Sequence, residues 1–315
     1  MAVKVVTSYY SASGLTLDAS SFLGQRYDEE RGFKPFESEC WVMRLWPKEG
    51  GGLNTSTHLG STGWLTGLWR SPEGAVFVSS GTDEKVLFHP DMQGDPDRKF
   101  ENMELDVSPN GVWGLDGRFV LAWGSTFEGT HHVYRYDGKA WKELPAPDFE
   151  VRAMHGLAPD FILAVGTGGG AARWDGHAWK RIPMPTDEVL NSIFVAGEDE
   201  FYATGGSGSL LEGSTHGWGR IAESPVRGMP LFGVAKWKGE LWVAAGQFGL
   251  FKRVDTQNRI ECIKPNLWSV DIDARQDLII SCRDFIATTV DGKNFIAGGR
   301  DMLTKLRAGK DVGKF

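Results

Sequence analysis

The sequence predicts an all-β protein: a single β-propeller of four-stranded antiparallel blades, with seven blades favoured and six as the alternative. Three observations carry this reading. The first is a recurring apolar hexapeptide. Residues 161–166 (FILAVG) return as 76–81 (VFVSSG), 119–124 (FVLAWG), 201–206 (FYATGG), 241–246 (LWVAAG) and 278–283 (LIISCR). Their spacing of about 40 residues is the period of radial repeat folds built on short strands. The second is the register inside the hexapeptide. Its fourth residue is always small (Ser79, Ala122, Ala164, Thr204, Ala244, Ser281), while the first and third are large and apolar apart from Ala203. Strands apolar on both faces are strands sandwiched between two neighbouring sheets. The third is punctuation. An upstream apolar residue (Trp69, Val112, Met154, Phe194, Val234, Val270) marks a preceding strand, and turns follow at 134–141 (YRYDGKAW), 173–179 (RWDGHAW), 211–218 (LEGSTHGW) and 289–295 (TVDGKNF). Asp-Gly between apolar half-strands predicts a type I′ hairpin, which needs positive φ at both central positions.

Composition fits this architecture and narrows the function. A propeller lets a 315-residue chain remain one domain, and the 41 glycines and 13 tryptophans suit many tight turns and sheet-on-sheet packing. A formal charge of −7 without a Lys/Arg-rich run argues against nucleic acid as a partner. The N-terminus lacks the apolar core of a signal peptide, and no apolar run is long enough to span a membrane, so a cytoplasmic, membrane-free protein is expected. Cys40, Cys262 and Cys282 are odd in number, widely spaced and set beside apolar residues, which reads as buried free thiols in a reducing cytosol.

Taken in order, residues 1–61 do not match the repeat. Segments 3–10 (VKVVTSYY) and 40–46 (CWVMRLW) read as strands separated by a charged loop, and 1–61 with 300–315 is expected to build the closing blade of the ring. Six repeats fill 62–299. In the first, 62–106, the turn-rich 90–98 holds Asp91, Asp95 and Asp97 but lacks the Gly and Glu of a calcium loop and reads as solvated. In the second, 107–150, an insertion at 125–132 (STFEGTHH) enlarges the connection after the hexapeptide. Trp123, Glu128, His131 and His132 are therefore candidates for a partner-binding rim. The adjacent histidines point to opposite faces of a strand and lack a third ligand at a known spacing, so no metal and no cofactor is expected.

The third and fourth repeats, 151–188 and 189–228, are the most regular. Their glycine-rich 167–170 and 205–209 lack the Lys-Ser/Thr of a phosphate loop and read as turns. Trp141, Trp179 and Trp218 recur at matching places and read as packing residues. In the fifth and sixth repeats, 229–266 and 267–299, Gln247, Trp268 and Arg283 fall near the same rim as the blade insertion. Arg283 replaces the terminal Gly of the other copies, either pairing with Asp284 or facing a ligand.

The run 156–166 (GLAPDFILAVG) through 173–179 (RWDGHAW) resembles the units of bacterial β-propeller repeat proteins, and 289–295 is similar to the Asp-box of sialidase-like and photosystem-assembly-type propellers. The resemblance implies a propeller in which Asp-boxes are scaffold turns. The catalytic pattern of true sialidases cannot be placed here. With no catalytic constellation in view, the function expected is a non-enzymatic platform binding another protein through rim loops, in one version a toxin or effector neutralised by an immunity-type protein. Small-ligand or carbohydrate binding at the channel mouth and a metal-dependent hydrolase in the channel are the alternatives.

Overall fold

Each apolar hexapeptide is a strand with two greasy faces, and both are covered. The structure, a computed structural model, describes residues 5–47, 49, 53–223, 225, 228–254 and 259–299. Among these, 28 strands form seven four-stranded antiparallel blades, and one 3-10 turn at Thr167–Gly169 is the helical content. Blade 1 spans 5–62, blade 2 65–104, blade 3 109–144, blade 4 151–181, blade 5 190–223, blade 6 233–264 and blade 7 269–298. The fold is a seven-bladed propeller. A single parallel bridge, Glu223 to Arg259, joins the outermost strands of blades 5 and 6.

The core lies between blades, not within them. Seven hydrophobic clusters are present, one at each blade interface. In blade 3, Phe119, Leu121 and Trp123 pack toward blade 4, whereas Val120 and Ala122 pack toward blade 2. That alternation explains the continuous apolar runs. The small fourth positions are fully buried, and at Gly67 a Cβ would meet Ser79 Oγ at 2.9 Å and the Gly111 backbone at 3.2 Å. The terminal glycine of the hexapeptide is equally constrained: a Cβ on Gly166 would stand 1.9 Å from the Glu150 carbonyl oxygen.

The Asp-Gly turns differ from the type I′ geometry expected. Gly138, Gly176 and Gly292 have positive φ, but among non-glycine described residues only Lys238 does. The aspartates act through their carboxylates instead. Asp137 accepts the N–H of Lys139 and Ala140, Asp175 those of His177 and Ala178, and Asp291 those of Lys293 and Asn294, at 2.8–3.1 Å. A four-residue loop closed by its own side chain leaves the Asp backbone unstrained. Among the described residues, positive φ occurs at two successive hairpin residues at Lys238-Gly239 (50° and 80°) and at Gly168-Gly169 (61° and 63°).

Blade 1 is the irregular copy. All four of its strands (Val5–Gly14, Ser20–Asp28, Glu39–Pro47, Leu53–Thr62) come from the N-terminal segment; 300–315, which the sequence reading joins to it, lies outside the described residues. Among the described residues no strand is exchanged between blades 1 and 7, and side-chain carboxylates join two backbone bonds, Tyr9 N–H to the Arg283 carbonyl and Asp277 N–H to the Leu15 carbonyl, in closing the ring. Ala12 N–H donates to Asp271 Oδ2 (3.0 Å), Gly14 N–H to Asp273 Oδ2 (2.9 Å) and Leu17 N–H to Asp277 Oδ2 (3.3 Å). Arg275 completes the seam, donating to Asp273 Oδ1 (3.2 Å), Ser13 Oγ (3.0 Å) and the Arg70 carbonyl (2.7 Å). Tyr9, Ala12, Leu17 and Phe22 pack against Ile279 and Ile286 beneath these bonds.

Two stability outcomes follow. Asp273→Ala strips a backbone N–H and Arg275 of their acceptor and is expected to lower unfolding free energy by about 2–3 kcal/mol in urea titration, whereas Asp148→Ala, which breaks only the exposed pair with Arg181, changes it by under about 0.5 kcal/mol. Trp179 is half-buried, its ring centroid 5.5 Å from that of Trp174 at a tilt of 49°, and donates to the Pro145 carbonyl at 2.8 Å. Trp179→Ala should therefore cost about 2–3 kcal/mol rather than the ~3–5 of a fully buried ring, read from the same titration.

Candidate functional site

Strand direction sorts the connections onto two rims. Second-to-third-strand and inter-blade connections share one rim; first-to-second and Asp-Gly connections share the other. On the first rim, Phe127 stands fully in solvent at 103% relative exposure and Phe36 at 75%, with Trp64, Val189 and Phe232 also exposed. Among the described residues, every exposed Phe, Tyr or Trp ring lies on this rim. The same rim carries Glu84, Asp106, Glu128 and Asp187, all exposed and none in an ion pair with a described residue.

The structure separates the predicted rim residues into two groups. Glu128 lies exposed in the 126–130 turn of blade 3, next to Phe127. His131 Nδ1 is hydrogen-bonded to Ser125 Oγ (2.8 Å) and His132 Nδ1 to Glu143 Oε1 (2.6 Å), with the His132 ring stacked on Tyr134. The two imidazoles thus serve different partners. Among the described residues no group of three His, Cys, Asp or Glu side chains is arranged to hold a metal ion. Trp123 is a correction to the rim set: it is 5% exposed, sits in the core between blades 3 and 4, and would clash with a Cβ on Gly111. Its hexapeptide position aims it at the next blade.

Blades 6 and 7 supply the other group. The Arg283 guanidinium lies 4.3 Å over the Trp268 ring, with Nε 3.9 Å from Asp284 Oδ1. Its backbone N–H donates to the Trp268 carbonyl (2.9 Å), and its own carbonyl accepts the N–H of Tyr9 (3.0 Å). Arg283 therefore stacks and ion-pairs while its backbone ties blade 7 to blade 1. Phe232 and Trp268 both border Gly246, next to exposed Gln247. Sequence reasoning missed Phe36, Trp64, Phe127 and Phe232; Phe127 alone had a signal, an aromatic residue inside an otherwise polar turn. Cys262 is exposed on the outermost strand of blade 6, against the buried thiol expected, whereas Cys40 and Cys282 are buried.

The inner strands enclose a second site, a central cavity of about 510 Å3. Its wall is divided. Blades 3, 4 and 5 contribute an aromatic arc in which His155 lies between Trp113 (5.5 Å) and Phe194 (4.7 Å). Blades 7, 1 and 2 contribute a polar arc of Asp271, Asp273, Arg275, Ser11, Ser13 and Thr66. His155 Nδ1 accepts the Val195 N–H at 3.2 Å, which places the imidazole proton on Nε2. Enclosure lowers its pKa to about 4, and the same enclosure, reinforced by Asp273, raises Asp271 to about 6 against the donation from Ala12 N–H. In sequence the polar arc is visible only as 271–275 (DIDAR), a charged alternation in an inner strand.

No family model matches the chain, and no curated protein matches it in sequence. Solved structures do. The WD40 β-propeller domain of Doa1 superposes with a TM-score of 0.68 at 9% identity, covering 95% of this chain and 96% of that one. A catalytically inactive virginiamycin B lyase from Staphylococcus aureus with quinupristin gives 0.67 at 12% identity, covering 91% and 99%. YCF48 bound to D1 peptide gives 0.62 at 14%, covering 91% and 93%. These likenesses show the fold alone. Among the described residues no helix is long and apolar enough to cross a membrane.

His155 and Asp271 pull stability in opposite directions on acidification. His155, depressed from 6.5 to about 4, contributes stability present above pH 6.5 and lost as pH falls toward 4. Asp271, raised from 3.8 to about 6, contributes stability present below pH 3.8 and lost as pH rises through 6. Between about pH 7 and 4.5, His155→Gln should lose about 1–2 kcal/mol less than the parent protein and Asp271→Asn about 1–2 kcal/mol more. Urea midpoints at the two pH values check both signs.

Proposed function

We propose that this propeller is a protein-binding platform whose working surface is the rim of second-to-third-strand and inter-blade connections. The observation that carries the reading is that Phe36, Trp64, Phe127 and Phe232, every exposed Phe, Tyr or Trp ring among the described residues, stand on that rim. Exposed aromatics on a rigid scaffold are the residues from which interface hot spots are made. The surrounding carboxylates of Glu84, Asp106, Glu128 and Asp187 select the partner's chemistry: a basic surface carrying apolar side chains. Glu128, His131, His132, Gln247, Trp268 and Arg283 belong to this surface, Arg283 already ordered by Trp268. YCF48, similar in fold, is bound to a peptide in its solved structure, which supports the reading by analogy. A basic toxin or effector neutralised by an immunity-type protein is the finer version, and the acidic rim is its support.

Affinity capture from the native host tests the proposal. The double variant Phe36→Ser/Phe127→Ser should lose its partner by about 100-fold or more, the loss expected of two hot-spot rings, while unfolding free energy stays within about 0.5 kcal/mol. Val290→Ser, on the opposite rim, should capture the partner normally. Equal capture by the double variant, or loss with Val290→Ser, would place the interface elsewhere.

A further inference from the structure

The central cavity is built for something other than a protein surface. At about 510 Å3 it has the size of a small-molecule site, and it is walled by inner strands of the ring rather than by loops. Its two arcs are chemically opposed. Trp113, His155 and Phe194 form a continuous row of rings on blades 3 to 5, and blade 7, across the ring from them, presents Asp271 and Asp273.

The lining carries two carboxylates, Asp271 and Asp273, and two guanidinium groups, Arg152 and Arg275, but neither cation is committed to Asp271. Arg275 belongs to Asp273, at 3.2 Å from Oδ1 and 3.1 Å from Oδ2. Arg152, at the cavity's mouth, pairs with Glu150 at 3.3 Å. His155 is held neutral by the Val195 N–H on Nδ1, and the Tyr10 hydroxyl donates to the Leu65 carbonyl. Asp277 turns into the seam onto Leu17 N–H, and Arg70 turns outward to Gln93. Asp271 accepts backbone N–H groups from Ala12 and Ile272 and the Ser11 hydroxyl but has no cationic partner within ion-pair distance among the described residues. A carboxylate enclosed without a counter-ion is costly, and a cation that enters the cavity relieves that cost. A row of aromatic faces opposite is the surface that attracts organic cations.

We infer that the central cavity binds a small organic ammonium ion, its positive charge against Asp271 and its apolar body against Trp113, His155 and Phe194. An aryl-alkyl amine has the required shape and charge. The site is independent of the rim and of the partner bound there. Because Asp271 is partly protonated near pH 6 in the empty cavity and the amine arrives charged, binding expels a proton from Asp271.

Titration calorimetry on the full-length protein with phenethylamine, and with 2-phenylethanol as its uncharged counterpart, tests this. The amine should bind and the alcohol should bind at least about tenfold more weakly, the value of one charge-assisted hydrogen bond. Asp271→Asn keeps an acceptor for Ala12 N–H and should lower amine affinity about tenfold or more, and Trp113→Leu should lower it as well. Near pH 6, buffers of different ionisation heat should report release of about half a proton per amine bound by the parent protein and none by Asp271→Asn. Equal binding of amine and alcohol, unchanged affinity in Asp271→Asn, absence of proton release, or no heat from the amine at millimolar concentration would each overturn the inference.

Discussion

No blade of this protein can be stable alone, because each hydrophobic cluster is shared by two blades. Phe119, Leu121 and Trp123 need blade 4 as much as Val120 and Ala122 need blade 2. A sheet buried on both faces must have a neighbour on each side, and a finite row of such sheets satisfies that demand only by closing on itself. Ring closure is thus the constraint from which the other features follow: the small fourth residue, the glycine that lets an inter-blade connection pass close, and the alternation of packing directions along one strand.

The closing seam is made differently from the other six interfaces. It has an apolar layer like them, built on Tyr9, Phe22, Ile279 and Ile286, but above that layer Asp271, Asp273 and Asp277 hold the backbone N–H groups of blade 1. Carboxylates on backbone donors are directional and strong for their number, and they set the register of two strands that share no ladder. The same arrangement brings negative charge to the central cavity. Stability of the ring and chemistry of the channel therefore depend on one short strand, Ser269–Ala274, with Arg275 following it.

Rim and cavity divide the remaining work. The rim offers large apolar and acidic side chains on a scaffold whose backbone is fixed by buried strands, which keeps the entropy lost on binding low. The cavity is lined by inner strands from every blade and offers a two-sided environment. A partner on the rim and a small cation in the channel would share Asp271 and its neighbours only through the seam that joins blades 7 and 1.

The architecture was legible in the sequence because packing repeats in it: hexapeptides of the same register can only be equivalent strands, and those at 119–124 and 161–166 announce their two-faced burial residue by residue. Where the physics was local, the reading held in outline and missed in detail. Asp137, Asp175 and Asp291 do make turns, but through carboxylate acceptance rather than positive φ, a choice that composition cannot distinguish. The sites were less legible because exposure and juxtaposition are properties of the closed ring. Trp123 looked like a rim residue until its face was known, and Phe127, inside the same insertion, was passed over. The sequence by itself determined repeated two-faced strands and hence a closed propeller, since periodicity records which faces are buried. Only the tertiary structure decided that Trp113, His155 and Phe194 stand across a cavity from Asp271, since residues more than 70 positions apart meet there through closure alone.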